Sequence, residues 1–412
     1  MATWLILAAK CVFVRCTAGL RYPTRARAEV AFPRVEPARP PTAFFLYRDS
    51  RLRREALGVP AGSGERYSLY GLDELAAAGF GVGHSLEPEL RPGRGARAGA
   101  AFADRAVRLI GGYSGDFATV LACRARLRAA DVVFSTVDTV GIPLALLSRA
   151  GVVSTPVVYA AIGLPERLEQ LRTSAARRFY LSAYRRLHAI VAYGWGEVDA
   201  LRAWLGDGGP EVHFVPFGVD TGYFRPDPDR PLEADVVSIG TDPRRDFSLL
   251  VRLAERLPDR NFRVVASADH ARALGTAPPN VTVETEIPFP AVRDRLAGAR
   301  VVVLPVRDSS YSGATTVLLQ AMATGKPVVV SRTAAIARGY HLEDGVNVRL
   351  VPPGELDELE GAVVELLSDA ERAAALAARA RETVERHLTW QRYADAIRDL
   401  LLAAASQTTV RA

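Results

Sequence analysis

Residues 305–332 read PVRDSSYSGATTVLLQAMATGKPVVVSR, and this stretch indicates both the fold class and a candidate binding site. A loop of small polar residues ends at Gly313, and a helix is predicted over 314–324 because Gly325 stops it. The β-branched run at 328–330 predicts a buried strand. Free backbone N–H groups and the helix dipole favour an anion, such as a diphosphate, at the start of this helix. An ordinary αβ unit of a parallel sheet is the alternative interpretation.

Apolar runs alternate with amphipathic helical stretches along the whole chain beyond residue 40. The predicted strands lie at 43–47, 131–137, 155–161, 189–193, 211–215, 234–240, 261–267, 281–287, 299–305, 326–332 and 348–351. Because these runs lack polar alternation, they indicate parallel strands covered on both faces, with helices as crossovers. A break near 216–218 divides them into two sets. The pattern predicts an α/β protein of two Rossmann-like, doubly wound parallel-sheet domains facing a cleft.

The quoted stretch also carries a family resemblance. SGATTVLLQAMATGKPVVVS (312–331) resembles the nucleotide-sugar motif of retaining glycosyltransferases of the GT-B fold, as in glycosyltransferase family 4. In that family the pattern is Glu-x7-Glu followed by Ala-Met-Ala-x-Gly-x-Pro-Val-Val; here Ser312 and Gln320 stand at the two acidic positions. FVPFGVDTGYF (214–224) resembles the family's interdomain segment. SIGTDPRRDFSLLVRLAERL (238–257) resembles the strand, basic turn and helix that open its nucleotide-binding domain.

The resemblance implies a division of the chain into functional parts. Residues 1–40 are expected to be a leader and linker, poorly ordered, and either an extension or an over-long gene prediction. An acceptor-side domain would span 41–217 and include the C-terminal helix at about 389–405. The nucleotide-sugar-binding domain would span 218–388. A helix that merely caps the second domain is the alternative for the C-terminal helix.

The resemblance implies a donor site in the second domain. The residues concerned are Gly240, Arg244 and Arg245 after the first strand of that domain, Ile287 at the base, Ser312, Gly313, Thr315 and Thr316 around the phosphates, and Gln320 at the ribose. Arg245, at the family's Lys position, would bind phosphate bidentately, with Arg244 as its alternate. A surface salt bridge from Arg245 to Asp242 or Asp246 is the other interpretation, and core packing is the alternative for Ile287.

The two missing carboxylates have different consequences. Gln320 could still hydrogen-bond ribose, more weakly by about 1 kcal/mol than a carboxylate would; a packed helical Gln is the alternative. The Ser312 hydroxyl is too short to reach a donor sugar. Either Asp308 or Tyr311 takes over that contact, or the donor differs.

In the first domain, the resemblance implies a phosphate loop at Gly62 and Gly64, in GVPAGSGERYSLYGLDEL, although a linker fits as well. His84, Asp138 and Glu166 follow strand-like runs and are candidate catalytic residues, because such groups orient an acceptor or take its proton. The alternatives are a plain loop histidine for His84, a helix N-cap for Asp138 and a helix-start residue for Glu166.

Charge and cysteine content restrict the partners. Residues 1–40 hold seven basic and two acidic residues, five of the six net positive charges, so no basic nucleic-acid stripe remains in the body of the chain. Three cysteines show neither metal nor disulfide spacing, which favours the cytoplasm. The Arg- and Ala-rich composition suggests a bacterial source. Arginines at 177, 178, 185 and 186 would permit peripheral membrane contact, although a solvated helix face explains them too.

The resulting functional prediction is a retaining, metal-independent hexosyltransferase. Its co-substrate would be a nucleoside-diphosphate sugar, with no further cofactor and no metal site. The acceptor would be a small molecule, a glycan or a lipid-linked sugar. Two alternatives stay open: a sugar-nucleotide epimerase or phosphorylase on the same fold, and a non-catalytic GT-B-like binding protein, which the missing carboxylates favour.

Overall fold

A computed structural model describes residues 39–309 and 312–411 of the chain. The predicted leader and linker, apart from Arg39 and Pro40, and the candidate Tyr311 lie outside the described residues. Arg39 forms an ion pair with Asp131, with 2.7 Å between Nη2 and Oδ1, next to the start of the first strand.

The first half of the described chain forms a six-stranded parallel sheet. Its strands are β1 (Thr42–Leu46), β2 (Gly81–His84), β3 (Val132–Ser135), β4 (Val157–Ala161), β5 (Ala189–Ala192) and β6 (Glu211–Phe214). They pair in the order β2-β1-β3-β4-β5-β6. The helices are α1 (Arg51–Leu57), α2 (Leu72–Ala77), α3 (Arg94–Leu109), α4 (Phe117–Ala122), α5 (Arg124–Ala129), α6 (Asp138–Arg149), α7 (Leu164–Glu169), α8 (Ser174–Tyr184) and α9 (Trp195–Leu205). All residues of β3 and β4 are buried because helices cover both faces of the sheet.

The second half forms another six-stranded parallel sheet. Its strands are β7 (Ala234–Gly240), β8 (Phe262–Ala266), β9 (Val281–Thr285), β10 (Ala299–Leu304), β11 (Val328–Ser331) and β12 (Arg349–Val351), in the order β12-β11-β10-β7-β8-β9. The helices are α10 (Phe247–Arg256), α11 (Ala268–Leu274), α12 (Phe289–Ala297), α13 (Thr315–Ala323), α14 (Leu356–Ser368) and α15 (Ala370–His387). The two sheets establish the predicted doubly wound architecture.

The last helix, α16 (Trp390–Arg411), belongs spatially to the first sheet. It packs against α2, β3 and β4. The Tyr393 hydroxyl lies 3.2 Å from the Tyr193 hydroxyl, which follows β5. A Cβ on Gly218, in the connection between the sheets, would lie 2.5 Å from the Thr389 carbonyl oxygen, so this crossing needs a residue without a side chain. The alternative interpretation, in which this helix only caps the second domain, is therefore wrong.

The strand order locates the crevices of both sheets. In the second sheet the order reverses between β7 and β10, and in the first sheet it reverses between β1 and β3. Open parallel α/β sheets bind ligands beyond the carboxyl ends of the strands at such switch points. The turn after β7 and the loop after β10 are therefore the natural candidates for a binding site in the second domain.

All eleven strands predicted from the sequence are confirmed, with ends shifted by at most a few residues. The helix predicted over 314–324 is observed as α13, with Gly325 at φ +68° directly after its C-cap. One strand was not predicted, β2, whose sequence Gly-Val-Gly-His contains no apolar run. It pairs in parallel with β1 at the edge of the first sheet.

Candidate functional site

The N-terminus of α13 opens towards the switch point of the second sheet. Its N-cap residue, Ala314, adopts φ +65°, and the methyl side chain of this residue makes no capping hydrogen bond. The Thr315 hydroxyl donates to the Ser312 carbonyl oxygen at 3.0 Å and so closes the turn before the helix. Within the described part of the chain, the N–H groups of the first turn therefore have no capping side chain, a condition that the predicted anion site requires.

The turn after β7 holds two adjacent arginines in different environments. The Arg245 side chain is fully covered: its Nε donates to Asp242 Oδ2 at 2.8 Å and its Nη2 donates to the Ile239 carbonyl oxygen. Arg244 remains accessible, and its backbone carbonyl oxygen accepts from the Arg307 N–H at 2.8 Å. The predicted order of the two arginines is therefore reversed, because Arg245 is already engaged by Asp242 and the Ile239 carbonyl oxygen, whereas Arg244 remains accessible to a phosphate.

The alternative interpretation of Arg245, a surface salt bridge to Asp242 or Asp246, is correct for Asp242 and wrong about the surface location. The salt bridge to Asp242 exists, but it is buried instead of lying on the surface. Buried charges persist in proteins when they are paired and hydrogen-bonded, as Arg245 is. Arg245 thereby fixes the turn that presents Arg244 to the cleft.

Gly240 makes room for the buried guanidinium. A Cβ at this position would lie 2.0 Å from Arg245 Nε, which no packing can accommodate without movement of the arginine. Gly240 thus has a structural role, which follows from this close approach, and its donor-binding role stays a prediction.

Replacing Gly240 by alanine is expected to lower the free energy of unfolding by about 1–3 kcal/mol, because overpacking displaces the guanidinium. Urea denaturation measures the change. The matched control is Gly361→Ala in α14, where a Cβ would meet nothing within 4 Å; it should stabilise the protein by about 0.5–1 kcal/mol. Equal effects of the two substitutions would contradict the packing argument.

Arg244 joins the second domain to the first. Its Nη2 lies 2.6 Å from Oε2 of Glu166, in the first turn of α7, and both side chains are half-buried. The structure thus brings together two residues that the sequence predicted separately, one for the donor and one for catalysis. A diphosphate that binds Arg244 would compete with Glu166 for the same guanidinium.

Asp138 is buried and forms an ion pair with Arg167, the residue that follows Glu166 on α7. Its carboxylate accepts from the Tyr159 hydroxyl, from the Ile162 N–H at 3.1 Å and from Arg167 Nε at 3.2 Å. Burial raises the pKa of Asp138 to about 6, although these three donors oppose the shift. The alternative of an N-cap is wrong, since Val137 occupies that position. With both oxygens engaged, Asp138 holds the turn after β4 in place.

A second buried carboxyl group, Glu197, was missed in the sequence. It lies in the first turn of α9 and is completely buried, and its Oε1 accepts from the Gly163 N–H at 2.8 Å. The Ser312 hydroxyl lies next to the same carboxyl group, across the cleft. The sequence did contain a signal for Glu197: it follows the predicted strand at 189–193, and ligands bind beyond the carboxyl ends of parallel strands.

The surroundings of Glu197 change its protonation. Burial, reinforced by the neighbouring Asp138 carboxylate, raises the pKa of Glu197 to about 8; the Gly163 N–H, the Ser312 side chain and the Tyr193 backbone, which lie close to the carboxyl group, oppose this shift. The group is therefore mainly neutral at pH 7. Among the described residues, none supplies a hydrogen bond of normal geometry to its Oε2.

Other first-domain candidates lie elsewhere. His84 is the last residue of β2 and not a loop residue, and two strands separate β2 from β4. At the usual strand spacing this places it about 14 Å from the turn after β4. Burial lowers the pKa of His84, and its Nδ1 has no hydrogen-bond partner in the described structure. His84 is thus not grouped with Asp138 and Glu166, as the sequence suggested.

The predicted phosphate loop has a different setting from the expected one. Gly62 and Gly64 follow α1, so they do not come directly after β1. Gly62 is exposed and its N–H donates to Asp73 Oδ2 at 3.3 Å. A Cβ on Gly64 would lie 2.4 Å from Tyr223 Cβ, so that glycine serves packing against the connection between the sheets.

The remaining second-domain candidates flank α13. Gln320 is buried on the helix, Thr316 is half-buried and Gly313 is buried in the preceding turn. Ile287 follows β9 and is half-buried against the core, as both of its interpretations allow. Asp308 is exposed. The roles predicted for these residues remain predictions.

Direct contacts hold the two domains together next to Glu197. The Tyr340 hydroxyl donates to the Tyr193 carbonyl oxygen at 2.6 Å and accepts from the Phe217 N–H at 3.1 Å. A Cβ on Gly194 would lie 3.0 Å from the backbone of Ala335. The start of α9 is therefore pressed against the second domain, which explains the complete burial of Glu197.

The described residues lack two further features. No cluster of three or more His, Cys, Asp or Glu side chains in 39–309 and 312–411 is arranged to hold a metal ion. Within those same ranges, no helix combines the length and apolar character that crossing a membrane requires.

Sequence comparison matches residues 234–369 to the family model "Glycosyl transferases group 1". The chain is 28% identical over 200 residues to an MMP alpha-(1->4)-mannosyltransferase of Mycolicibacterium hassiacum, covering 44% of this chain and 46% of the relative. It is 28% identical over 216 residues to the GDP-mannose-dependent alpha-(1-6)-phosphatidylinositol monomannoside mannosyltransferase of Mycolicibacterium smegmatis, covering 46% and 56%. The chain thus spans about half the length of the curated relatives it matches.

Solved structures resemble nearly the whole chain. Sucrose-phosphate synthase from Thermosynechococcus elongatus superposes with a TM-score of 0.69 at 17% identity, covering 90% of this chain and 100% of the other. Anabaena HepE in complex with UDP-glucose gives a TM-score of 0.64 at 15% identity, covering 88% and 100%. At these identities the likeness concerns the fold. The chain thus has the GT-B fold, and residues 234–369 of its second domain match the family model of the group 1 glycosyl transferases.

Proposed function

We propose that this protein transfers a sugar from a nucleoside-diphosphate sugar to an acceptor held by the first domain. The observation that carries the proposal is the meeting of two sets of groups at the cleft. The uncapped N-terminus of α13 and the accessible Arg244 face Glu166 and Glu197 of the first domain. The family match of residues 234–369 supports the same conclusion.

The chemistry follows from the charges at this site. When a diphosphate leaves, negative charge develops on its oxygens, and fixed donors stabilise that charge most effectively in a water-poor site. Arg244 and the first-turn N–H groups of α13 are such donors. We assign Gln320 to the ribose and Ile287 to the base, as the family resemblance implies. In this proposal transfer proceeds with retention and without a metal, because an arginine and backbone N–H groups neutralise the leaving group.

The relatives direct the choice of donor and acceptor. Both curated relatives are mannosyltransferases by name, and one is named as GDP-mannose-dependent with a phosphatidylinositol monomannoside acceptor. HepE was solved with UDP-glucose. GDP-mannose is therefore the first donor to test and UDP-glucose the second. We propose a small-molecule, glycan or lipid-linked acceptor, a cytoplasmic bacterial enzyme and, for a lipid acceptor, peripheral contact with the membrane; nucleic acid is not expected as a partner.

The proposed donor site is tested by replacing Arg244 with alanine. One charge-assisted hydrogen bond to phosphate contributes about 1.5–3 kcal/mol, so affinity for the nucleoside diphosphate should fall about 10- to 100-fold. Thermal-shift titrations with GDP, UDP, ADP and TDP measure it, since ligand at 100 times Kd adds about 2.7 kcal/mol of stability. The control is Arg252→Ala, an exposed position on α10. Unchanged affinity in Arg244→Ala would contradict the proposed donor site.

Turnover separates the proposed activity from its rivals. A transferase consumes the donor in the presence of an acceptor, and an α-linked product from an α-linked donor would establish retention. An epimerase would convert the donor with no acceptor present. The non-catalytic alternative, favoured by Ser312 and Gln320 in place of two acidic residues, would bind the donor and leave it unchanged. Activity that persists in EDTA would support the metal-independent mechanism.

A further inference from the structure

Glu197 has an unusual combination of burial and incomplete hydrogen bonding. It is completely buried, its Oε1 is held by the Gly163 N–H, and among the described residues its Oε2 lacks a hydrogen bond of normal geometry. Buried polar atoms are almost always paired, and an unpaired one costs folding free energy. An atom kept in this state is therefore a candidate for pairing with a ligand.

The position of Glu197 specifies what kind of ligand that would be. The Ser312 side chain, which touches the carboxyl group, lies three residues before the first residue of α13. A diphosphate at the α13 N-terminus would thus have the Glu197 carboxyl group as its neighbour on the first-domain side. In a nucleoside-diphosphate sugar, the phosphate farther from the nucleoside carries the sugar, which presents hydroxyls. With this phosphate at the α13 N-terminus, the sugar would lie next to Glu197.

The protonation of Glu197 makes this arrangement compatible with an anionic donor. Because its pKa is raised to about 8, the group is mainly uncharged at pH 7 and does not repel a diphosphate. A neutral carboxyl group both donates and accepts, as a sugar hydroxyl requires. Asp138 is close, but its carboxylate is already engaged by Tyr159, Ile162 and Arg167.

We propose that Glu197 positions the donor sugar from the first domain, with its Oε2 hydrogen-bonded to a sugar hydroxyl that Ser312 alone is too short to hold. This inference rests on the proposed function and extends it by naming a sugar contact from the opposite domain. The first domain would then bind a sugar nucleotide more tightly than the nucleoside diphosphate without its sugar.

The test compares nucleotides with and without the sugar. Calorimetric Kd values are measured at pH 7 for GDP and GDP-mannose and for UDP and UDP-glucose, in wild type, Glu197→Met and Glu197→Gln. The expected result is a loss of about tenfold in affinity for the sugar nucleotide in Glu197→Met, with the Kd of the matching nucleoside diphosphate unchanged within twofold. Glu197→Gln should retain most of the sugar-dependent affinity, because an amide also pairs with a hydroxyl.

The controls separate the possible failures. Glu169→Gln, an exposed position at the end of α7, should change neither Kd. If Glu197→Met weakens nucleotide and sugar nucleotide equally, Glu197 acts only in domain packing and the inference is overturned. If wild type binds both ligands and Glu197→Met binds both as tightly, the assignment of Glu197 alone fails. If wild type binds none of the four ligands, the proposed function fails with it.

Discussion

Replacing Arg245 by alanine is expected to lower the free energy of unfolding by about 3–5 kcal/mol, because it removes one partner of a buried ion pair. Arg245 is among the largest fully buried side chains, and it donates both to Asp242 and to the Ile239 carbonyl oxygen. Without the guanidinium, the Asp242 carboxylate and the Ile239 carbonyl oxygen lose their hydrogen-bond donor, and a cavity remains under the turn after β7. Urea unfolding at pH 7, followed by circular dichroism, gives the change.

Arg245→Met separates this structural role from phosphate binding. Methionine fills much of the same volume, so Arg245→Met should lower the free energy of unfolding by less than Arg245→Ala does. Because Arg245 is covered and Arg244 is accessible, folded Arg245→Met should bind nucleoside diphosphate within about threefold of wild type, by the same reasoning that predicts a large loss in Arg244→Ala. A folded Arg245→Met that no longer binds nucleotide would reinstate Arg245 as the phosphate ligand.

The arginine pair also illustrates what the sequence could predict. The turn, its basic residues and their place after a buried strand were all predictable, because a strand followed by a polar turn and a helix has a clear pattern. Which of two adjacent side chains enters the core depends on backbone geometry. Here it depends on Gly240, whose missing side chain leaves the space that Arg245 occupies.

The first domain was less predictable for a related reason. The sequence offered Asp138 and Glu166 as candidates because each lies in the first turn of a helix just after a predicted strand or turn. Glu197 also begins a helix after a predicted strand, but its candidate role depends on its closeness to Ser312, which lies in the other half of the chain. No local pattern reports such a contact. His84 shows the opposite error, since its strand β2 was not predicted and its distance from the cleft depends on strand order.

Glu197 should make the stability of the protein unusually sensitive to pH. Its pKa is about 8 in the folded protein and 4.5 in the reference state. Between these values the folded state binds a proton that the unfolded state lacks, so stability falls as pH rises, by about 1.4 kcal/mol per pH unit. The full loss, which is reached above pH 8, is about 5 kcal/mol.

Glu197→Gln removes this dependence and keeps an acceptor for the Gly163 N–H. Its free energy of unfolding, relative to wild type, should therefore rise by about 1.5 kcal/mol between pH 6.5 and pH 8, since the wild-type carboxyl is half ionised at pH 8. Burial lowers the pKa values of the histidines His84, His213 and His387, which moves their titration away from the upper part of this window, and the pKa of Asp138 is about 6. The neighbouring tyrosines, Tyr193 and Tyr340, have raised pKa values and stay neutral throughout this window.

Urea denaturation of wild type, Glu197→Gln and Glu169→Gln at pH 6.5, 7.25 and 8 measures the difference directly. The exposed Glu169 position should give a constant offset from wild type at all three values. A constant offset for Glu197→Gln as well would mean that Glu197 is already ionised at pH 6.5. A charged carboxylate would then lie beside the α13 N-terminus, where it competes with a diphosphate for the same helix dipole. A rising offset would instead leave that dipole to the donor, with the neutral Glu197 beside it.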